Sequence, residues 1–364
     1  MTMKRRTFAA TIAAAASLPL FSIVRAQSIA SNPAVIRIGF PGAGTGGRPA
    51  VGGSFPATAD ALGEINQEFK PDGIRIEWKY YAGAGPALNE AYANGLLDFC
   101  FGHGDLPLVV GRATGLKHKI ILSSGRLSTG YFIVPSGSPA QSIADLKGKK
   151  IATFKGTAGQ TQMIRFLRRA GLEEKDFRVI SLNSDDTKAA LATGDIDGTA
   201  GVVTPFDLEA RGIARTLVST DDPAITTPGT VWVGEAFEQS YPQIVQRLVT
   251  RLVKVAEWGT HAENRDKQFN LWARAGTDPY SNYKTDWAKV TDLRTRINPL
   301  LDAYYHAALQ RAIGEIKEFK LIRKDVSLDG WIESKYLDTA LKELKLENHW
   351  PQFDAKGVPK SKAA

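Results

Sequence analysis

Asn94-Gly95-Leu96-Leu97-Asp98 recurs about one hundred residues later as Thr193-Gly194-Asp195-Ile196-Asp197. In each copy a glycine suited to end a helix is followed by an aspartate at the start of an apolar run typical of a buried strand. A polar residue and a proline follow each run, in Gly104-Asp105-Leu106-Pro107 and in Val203-Thr204-Pro205-Phe206. The repeat predicts one α/β unit written twice.

Working outward from these copies, each unit alternates strands with helices. Short apolar or alternating runs predict the strands, and apolar residues at helical spacing predict the helices. In the first unit we predict strands at 35–40, 74–81 and 97–102; in the second, strands at 150–154, 178–182 and 196–203. Such alternation favours mainly parallel sheets covered by helices, with ligands bound beyond the carboxyl ends of the strands. Two such lobes in tandem imply a ligand cleft between them.

Composition sets the class of protein. The chain has 364 residues, enough for two domains, with 43% hydrophobic and 23% charged residues, which excludes a disordered chain. Its single cysteine, Cys100, excludes an internal disulfide. The net charge of +8 points to an anionic partner, but half of it comes from four basic residues in the first 26 positions.

Residues 1–26 have the order of a secretory signal peptide. A basic segment at 4–6 precedes an apolar stretch from Ala9 to Val24, and Val24-Arg25-Ala26 predicts cleavage before Gln27. The apolar stretch is short for a spanning helix, although a membrane anchor is the alternative. Arg5-Arg6 followed by Phe8 is a partial match to a twin-arginine signal, with export of the unfolded chain as the other route. The mature protein is expected outside the cytoplasm.

Gly42-Ala43-Gly44-Thr45-Gly46-Gly47 satisfies G-x-G-x-x-G after a predicted strand. A dinucleotide site needs a helix to begin at once, whereas Arg48, Pro49, Gly52, Gly53 and Pro56 follow here. We therefore favour a flexible loop over a ligand, with Arg48 supplying a positive charge. A mobile surface loop is the alternative.

Two segments predict exposed helix N-termini that can hold an anion. Thr157 with Gln160 forms a capping box before an amphipathic run, and Gly83-Ala84-Gly85-Pro86 is its counterpart in the first unit. Backbone N–H groups at such ends bind anions, aided by the helix dipole. Plain helix capping is the alternative for each segment.

Other candidate residues lie near the predicted cleft. Trp232, Tyr131 and Phe206 are placed to close over an apolar part of a ligand, with core packing as the alternative. His103 is a further candidate, although with Cys100 alone it does not make a zinc site. The sequence has no phosphate-loop, H-E-x-x-H or G-x-S-x-G motif, so catalysis gains little support.

These motifs together resemble the taurine, aliphatic-sulfonate and nitrate group of periplasmic substrate-binding proteins of ABC importers. The resemblance covers about Val35 to Leu344 and rests on 36–40, 82–86, 94–98, 104–107, 143–149, 155–157 and 194–197. It implies a type II periplasmic binding protein fold of two lobes. We expect lobe I at 34–127 and 236–345, lobe II at 128–235 and a C-terminal tail at 346–364, disordered from Lys356.

The resemblance also implies a ligand site and partners. Its motifs place the ligand against Gly83, Ala84, Gly85, Asp105, Ser128, Thr129, Thr157, Ala158, Thr204 and Pro205, with Asp105 accepting from the far end of the ligand. The glycine-rich loop is longer than the family's usual polar turn. The expected protein is a monomer without a cofactor that binds no nucleic acid. It would deliver a small organic oxyanion to an ABC permease and its ATPase.

An enzyme on the same fold is the rival interpretation. A pyrimidine-precursor synthase of this kind would need a cysteine-rich metal motif and a cofactor lysine, and Cys100 alone argues against it.

Overall fold

A computed structural model describes residues 32–360 of the chain. The predicted signal peptide therefore lies outside the described residues. Two five-stranded sheets, one in each lobe, organise the fold, and the described residues contain no helix that is both long and apolar enough to cross a membrane. The fold class expected from the sequence is confirmed.

The first sheet belongs to lobe I and has the order β2-β1-β3-β10-β4. Its strands are β1 (Val35–Phe40), β2 (Arg75–Tyr80), β3 (Phe99–His103), β4 (His118–Gly125) and β10 (Gly229–Gly234). β1 pairs in parallel with β2 and β3, and β10 runs antiparallel between β3 and β4. Four strands therefore point one way and one points back.

The second sheet, in lobe II, repeats this plan with the order β7-β6-β8-β5-β9. Its strands are β5 (Gly130–Pro135), β6 (Lys150–Thr153), β7 (Arg178–Ser181), β8 (Gly198–Ala200) and β9 (Ala214–Thr220). Here β5 is the antiparallel strand, between β8 and β9. The repeated topology agrees with the repeated sequence unit.

The helices cover the faces of the sheets. They are α1 (Phe55–Ala61), α2 (Glu64–Phe69), α3 (Ala84–Ala93), α4 (Asp105–Thr114), α5 (Ala158–Arg169), α6 (Ser184–Thr193), α7 (Phe206–Ala210), α8 (Glu235–Ser240), α9 (Pro242–Thr260), α10 (Arg265–Ala273), α11 (Tyr280–Asp286), α12 (Ala303–Glu318) and α13 (Lys335–Leu344). The apolar stripe of α9, including Ile244, Leu248 and Leu252, is fully buried in the core of lobe I. Helix α9 therefore packs as part of lobe I.

Two predicted boundaries differ from the structure. The prediction put 128–235 in lobe II. Strand β10, at the end of that range, instead pairs with β3 and β4 in the first sheet, where its Val231, Trp232 and Val233 have no exposed surface. The prediction of a tail at 346–364, disordered from Lys356, is wrong for 346–360. Trp350 and Phe353 are buried there, and Phe353 forms a β-bridge with Pro359.

Candidate functional site

The cleft between the lobes contains two adjacent chambers. We call the larger one, of about 500 Å³, the helix chamber, because four helices begin at it. The other, of about 380 Å³, is the aromatic chamber, with walls that include Trp272, Tyr283 and Trp287. Gly201, Val202 and Thr277 line both chambers and form the boundary between them. Each volume is in the range of small-molecule sites.

The helix chamber is surrounded by helix N-termini from both lobes. Gly85 of α3 and Gly104, which precedes α4, come from lobe I, while Ala158 of α5 and Ser184 of α6 come from lobe II. The first N–H groups of a helix have no partner within the helix, and the helix dipole adds a partial positive charge there. Four such ends at one cavity favour an anionic ligand.

The start of α5 shows how the sequence positions these donors. The Thr157 hydroxyl accepts from the Gly159 N–H at 3.2 Å and donates to the Phe154 carbonyl at 2.6 Å. Gln160 Oε1 accepts from the Gly156 N–H at 2.9 Å. Thr157 therefore caps α5 as predicted, but the predicted capping box is not formed, because the Thr157 hydroxyl accepts from Gly159 and Gln160 accepts from Gly156.

Direct contacts hold the two lobes together around this chamber. The Gly46 N–H of lobe I donates to Asp185 of lobe II at 3.0 Å. A Cβ atom built on Gly104 would lie 2.7 Å from the Cβ of Ala158 in the opposite lobe. The structure is therefore the closed form, and glycine is needed at position 104 for the lobes to approach this closely.

The glycine-rich loop lines the helix chamber through Gly42, Gly44 and Gly46. The first α-helix after it begins only at Phe55, which agrees with the argument against a dinucleotide site. Arg48 lines neither chamber. Its Nη1 donates to the Arg274 carbonyl at 2.7 Å, because the loop folds back on itself through a bridge between Gly44 and Arg48. The structure therefore does not place the Arg48 guanidinium against either chamber, in contrast to the expectation that it supplies charge to the ligand.

Asp105 is not free to meet a ligand. Its Oδ1 accepts from Thr161, and its Oδ2 accepts from Thr227 and from the Arg165 guanidinium at 2.8 Å. Asp105 is 2% exposed and Arg165 is 6% exposed, so this ion pair is buried between the lobes. The predicted role of Asp105 as an acceptor for the ligand is replaced by a structural one across the cleft.

His103 and Trp232 also lie outside both chambers, in the core of lobe I. The Trp232 indole donates to His103 Nδ1 at 2.9 Å, and neither side chain has exposed surface. Burial lowers the pKa of His103 to about 3, so its imidazole is neutral. Cys100, on the same strand, is fully buried, and burial raises the pKa of its thiol well above the ordinary value. These residues pack the core.

The other predicted residues divide between the chambers. Ala84, Gly85, Thr157 and Ala158 line the helix chamber, and Ser128, Thr129, Tyr131 and Thr204 line the aromatic chamber. Gly83 and Pro205 are next to lining residues in the chain, but neither they nor Phe206 line either chamber. The structure thus brings the two predicted anion-binding segments to one cavity.

Sequence reasoning missed the aromatic side of the aromatic chamber. One side of it comes from 272–297, a segment without a recognised motif, and includes Trp272, Tyr283, Trp287, Asp278 and Asp286. Burial raises the pKa of Tyr283, which is therefore neutral. The aromatic residues recur at helical spacing between 269 and 287, a signal that also fits core packing.

Known proteins share this architecture. Residues 69–261, just over half of the chain, match the family model described as NMT1/THI5 like. A Bacillus subtilis relative named as an aliphatic sulfonates-binding protein is 27% identical over 78% of this chain and 84% of its own. The solved periplasmic sulfonate-binding protein SsuA of Methylobacillus flagellatus is 29% identical, with a TM-score of 0.72 over 88% of this chain and 97% of its own.

Two further structures extend the comparison. The alkanesulfonate-binding protein SsuA of Xanthomonas axonopodis, bound to MOPS, is 25% identical, with a TM-score of 0.69 over 84% of this chain and all of its own. The desulfurization enzyme DSZB, at 19% identity and a TM-score of 0.61 over 86% of this chain and all of its own, shares the fold alone. The resemblance expected from the sequence is confirmed, and the chain belongs to the NMT1/THI5-like family.

Proposed function

We propose that the protein is an extracytoplasmic solute-binding protein that captures an aliphatic sulfonate or a similar small organic oxyanion for an ABC importer. The observation that carries the proposal is the convergence of four helix N-termini, two from each lobe, on the helix chamber. The sulfonate-binding relatives of similar length and fold support the same ligand class.

Binding proceeds by lobe closure. The donors of α3 and α4 belong to one lobe and those of α5 and α6 to the other, so a ligand meets all of them only when the cleft is closed. A ligand that binds the closed form better shifts the population toward it. The closed protein then docks on a membrane permease, whose ATPase drives transport. We further propose that a single copy suffices for binding and that the signal peptide exports the chain to the periplasm.

Thermal unfolding of the protein from Gln27 onward tests the ligand class. Taurine, alkanesulfonates, sulfate esters, sulfate and nitrate are each added in excess. A ligand at one hundred times its Kd adds about 2.7 kcal/mol to the free energy of unfolding and raises Tm. We expect a rise with an alkanesulfonate, and no shift with any of these compounds would refute the proposal.

An enzyme is the second candidate, because a desulfurization enzyme shares the fold. The state of Cys100 argues against thiol chemistry here, since the side chain has no exposed surface and its thiol stays protonated. Incubation with any sulfonate that raises Tm, followed by mass spectrometry of the small molecules, distinguishes the two. Recovery of the unchanged sulfonate supports a binding protein, and turnover would support the enzyme.

A further inference from the structure

Residues 352–360 form a short hairpin, which we call the strap, closed by the bridge between Phe353 and Pro359. The strap lies where the chain passes between the lobes. These crossings are at 126–129, after β4, and at 221–228, after β9. Changes of φ and ψ at a few such residues absorb the rotation of one lobe against the other. Contacts made by the strap can therefore affect closure of the cleft.

The strap holds the first crossing through Phe353. This ring is 1% exposed and packs with Tyr304 of α12, and Leu127 of the crossing packs against them. The Asp302 carboxylate accepts from Arg126 of the crossing at 2.8 Å and from the Phe353 N–H at 2.9 Å. One carboxylate thus joins the strap to the crossing.

Leu127 itself is in an unfavourable conformation. Its φ of +53° lies in the left-handed region, which a leucine rarely adopts. Such a conformation persists where the surrounding structure holds it. Because Phe353 belongs to the packing around Leu127, the strap helps to hold the crossing in this conformation, and an opening rotation would relax it.

The second crossing is held at Pro223. A Cβ atom built on Gly357 of the strap would lie 2.8 Å from Pro223 Cγ. The Pro223 carbonyl accepts from Tyr304 at 3.2 Å and from Arg311 at 3.1 Å, both on α12. The strap and α12 therefore both contact this crossing in the closed form.

We propose that Phe353 and Gly357 are positioning residues that hold the two crossings in the closed geometry and so raise the affinity for the ligand. Neither residue lines the helix chamber or the aromatic chamber. The apparent affinity for a ligand scales with the fraction of protein in the binding-competent form. Loss of the strap contacts should lower this fraction and the affinity together. The inference goes beyond the proposed function, because it concerns closure whatever the ligand is.

Phe353→Ala removes the ring from the first crossing, and Phe237→Ala is its matched control. Phe237 is 8% exposed in the core of lobe I, where its ring meets those of Phe99 and Tyr241. Both variants lose a buried ring and should unfold more easily. Phe353→Ala alone is expected to change closure.

Gly357→Ala and Gly330→Ala form a second pair that leaves every core side chain in place. Both glycines have positive φ, +82° and +62°, so alanine strains the backbone at each. A Cβ on Gly330 meets no described atom within 4 Å, whereas that on Gly357 meets Pro223. The difference between these variants isolates the contact with the second crossing.

Two measurements report closure. Spin labels on Glu90→Cys of lobe I and Lys175→Cys of lobe II, both exposed positions, give the interlobe distances of the ligand-free protein, while the native Cys100 is buried. Calorimetric titration with hexane-1-sulfonate gives Kd. In Phe353→Ala and in Gly357→Ala we expect the closed-to-open ratio and the affinity to fall at least about fivefold. Both control variants should match the wild type.

The outcomes separate this inference from the proposed function. Lower stability with unchanged distances and an unchanged Kd would give the strap a purely structural role and overturn the inference. A closed population or an affinity that rises in the strap variants would overturn it as well. If the wild type binds no sulfonate, the proposed function fails and the interlobe distances alone decide the inference.

Discussion

Gly104 provides a direct test of lobe closure. Its backbone, with φ −80° and ψ 163°, is open to any residue, so an alanine there adds no backbone strain. The added Cβ would lie 2.7 Å from the Cβ of Ala158 in the closed form, whereas carbon atoms in contact are about 3.5–4.0 Å apart. Gly104→Ala therefore disfavours closure specifically.

The size of the effect follows from this overlap. Inserting a methyl group into a packed contact costs about 1–3 kcal/mol. The cost falls on the closed form alone, because Ala158 belongs to the other lobe and moves away when the cleft opens. Ligand affinity should then fall about 5- to 150-fold, since tenfold corresponds to about 1.4 kcal/mol.

Calorimetric titration with an alkanesulfonate measures this loss. Gly104→Ala is compared with the double variant Gly104→Ala/Ala158→Gly, which removes the opposing Cβ and should recover most of the affinity. Gly137→Ala, where an added Cβ meets nothing within 4 Å, is the control and should bind as the wild type does. Normal binding by Gly104→Ala, or a double variant no better than the single one, would refute the closure argument.

Four shorter predictions concern other parts of the chain. Thr157→Val removes the hydroxyl that caps α5, so sulfonate affinity should fall by about 1 kcal/mol in a titration, and an unchanged Kd would remove Thr157 from the site. Arg48→Ala should leave Kd within about twofold, because the guanidinium lies outside both chambers; a larger loss would contradict that placement. Burial lowers the pKa of His103 to about 3 in the folded protein. As the pH falls below about 6.5, the His103 imidazole of the unfolded chain therefore takes up a proton while that of the folded protein stays neutral. The free energy of unfolding should then drop by up to about 1.4 kcal/mol per pH unit toward pH 4, and His103→Gln should reduce that slope in denaturant titrations. Replacing Arg5 and Arg6 by lysine should block export in a fractionation assay, and unchanged export would exclude the twin-arginine route.

Local sequence signals predicted the elements that build the helix chamber. The strand before the glycine loop, Val35–Phe40, has the predicted bounds, and the helix after Thr157 begins directly after this predicted cap, at Ala158. These features depend on patterning and capping among neighbouring residues, which the sequence displays directly. Ala84 and Ala158 line one cavity because the two units have the same topology.

The wrong predictions concern side chains whose partners are distant in sequence. Asp105 has the position of a ligand-binding residue at the end of a strand, but Arg165 neutralises it from a helix of the other lobe. Trp232 is predicted to lie near the cleft, yet its strand is central in a sheet and its side chain has no exposed surface. Asp278 was missed because tertiary packing alone brings it to the cleft. A single sequence does not encode such pairings in any local pattern.

We expect anion recognition in the helix chamber to depend on dipoles and not on net charge. Among the described residues that line it, none is a lysine or an arginine, and Asp185 and Asp186 even add negative charge at the start of α6. For Asp185, the glycine-rich loop offsets this negative charge by supplying hydrogen-bond donors. Thr45 and the Gly46 N–H donate to its two carboxylate oxygens, at 3.3 and 3.0 Å, and so satisfy that carboxylate from the opposite lobe. Gly46 makes this contact with φ at +66°, a conformation that favours glycine. A glycine at position 46 thus lets the loop donate to a carboxylate of the opposite lobe.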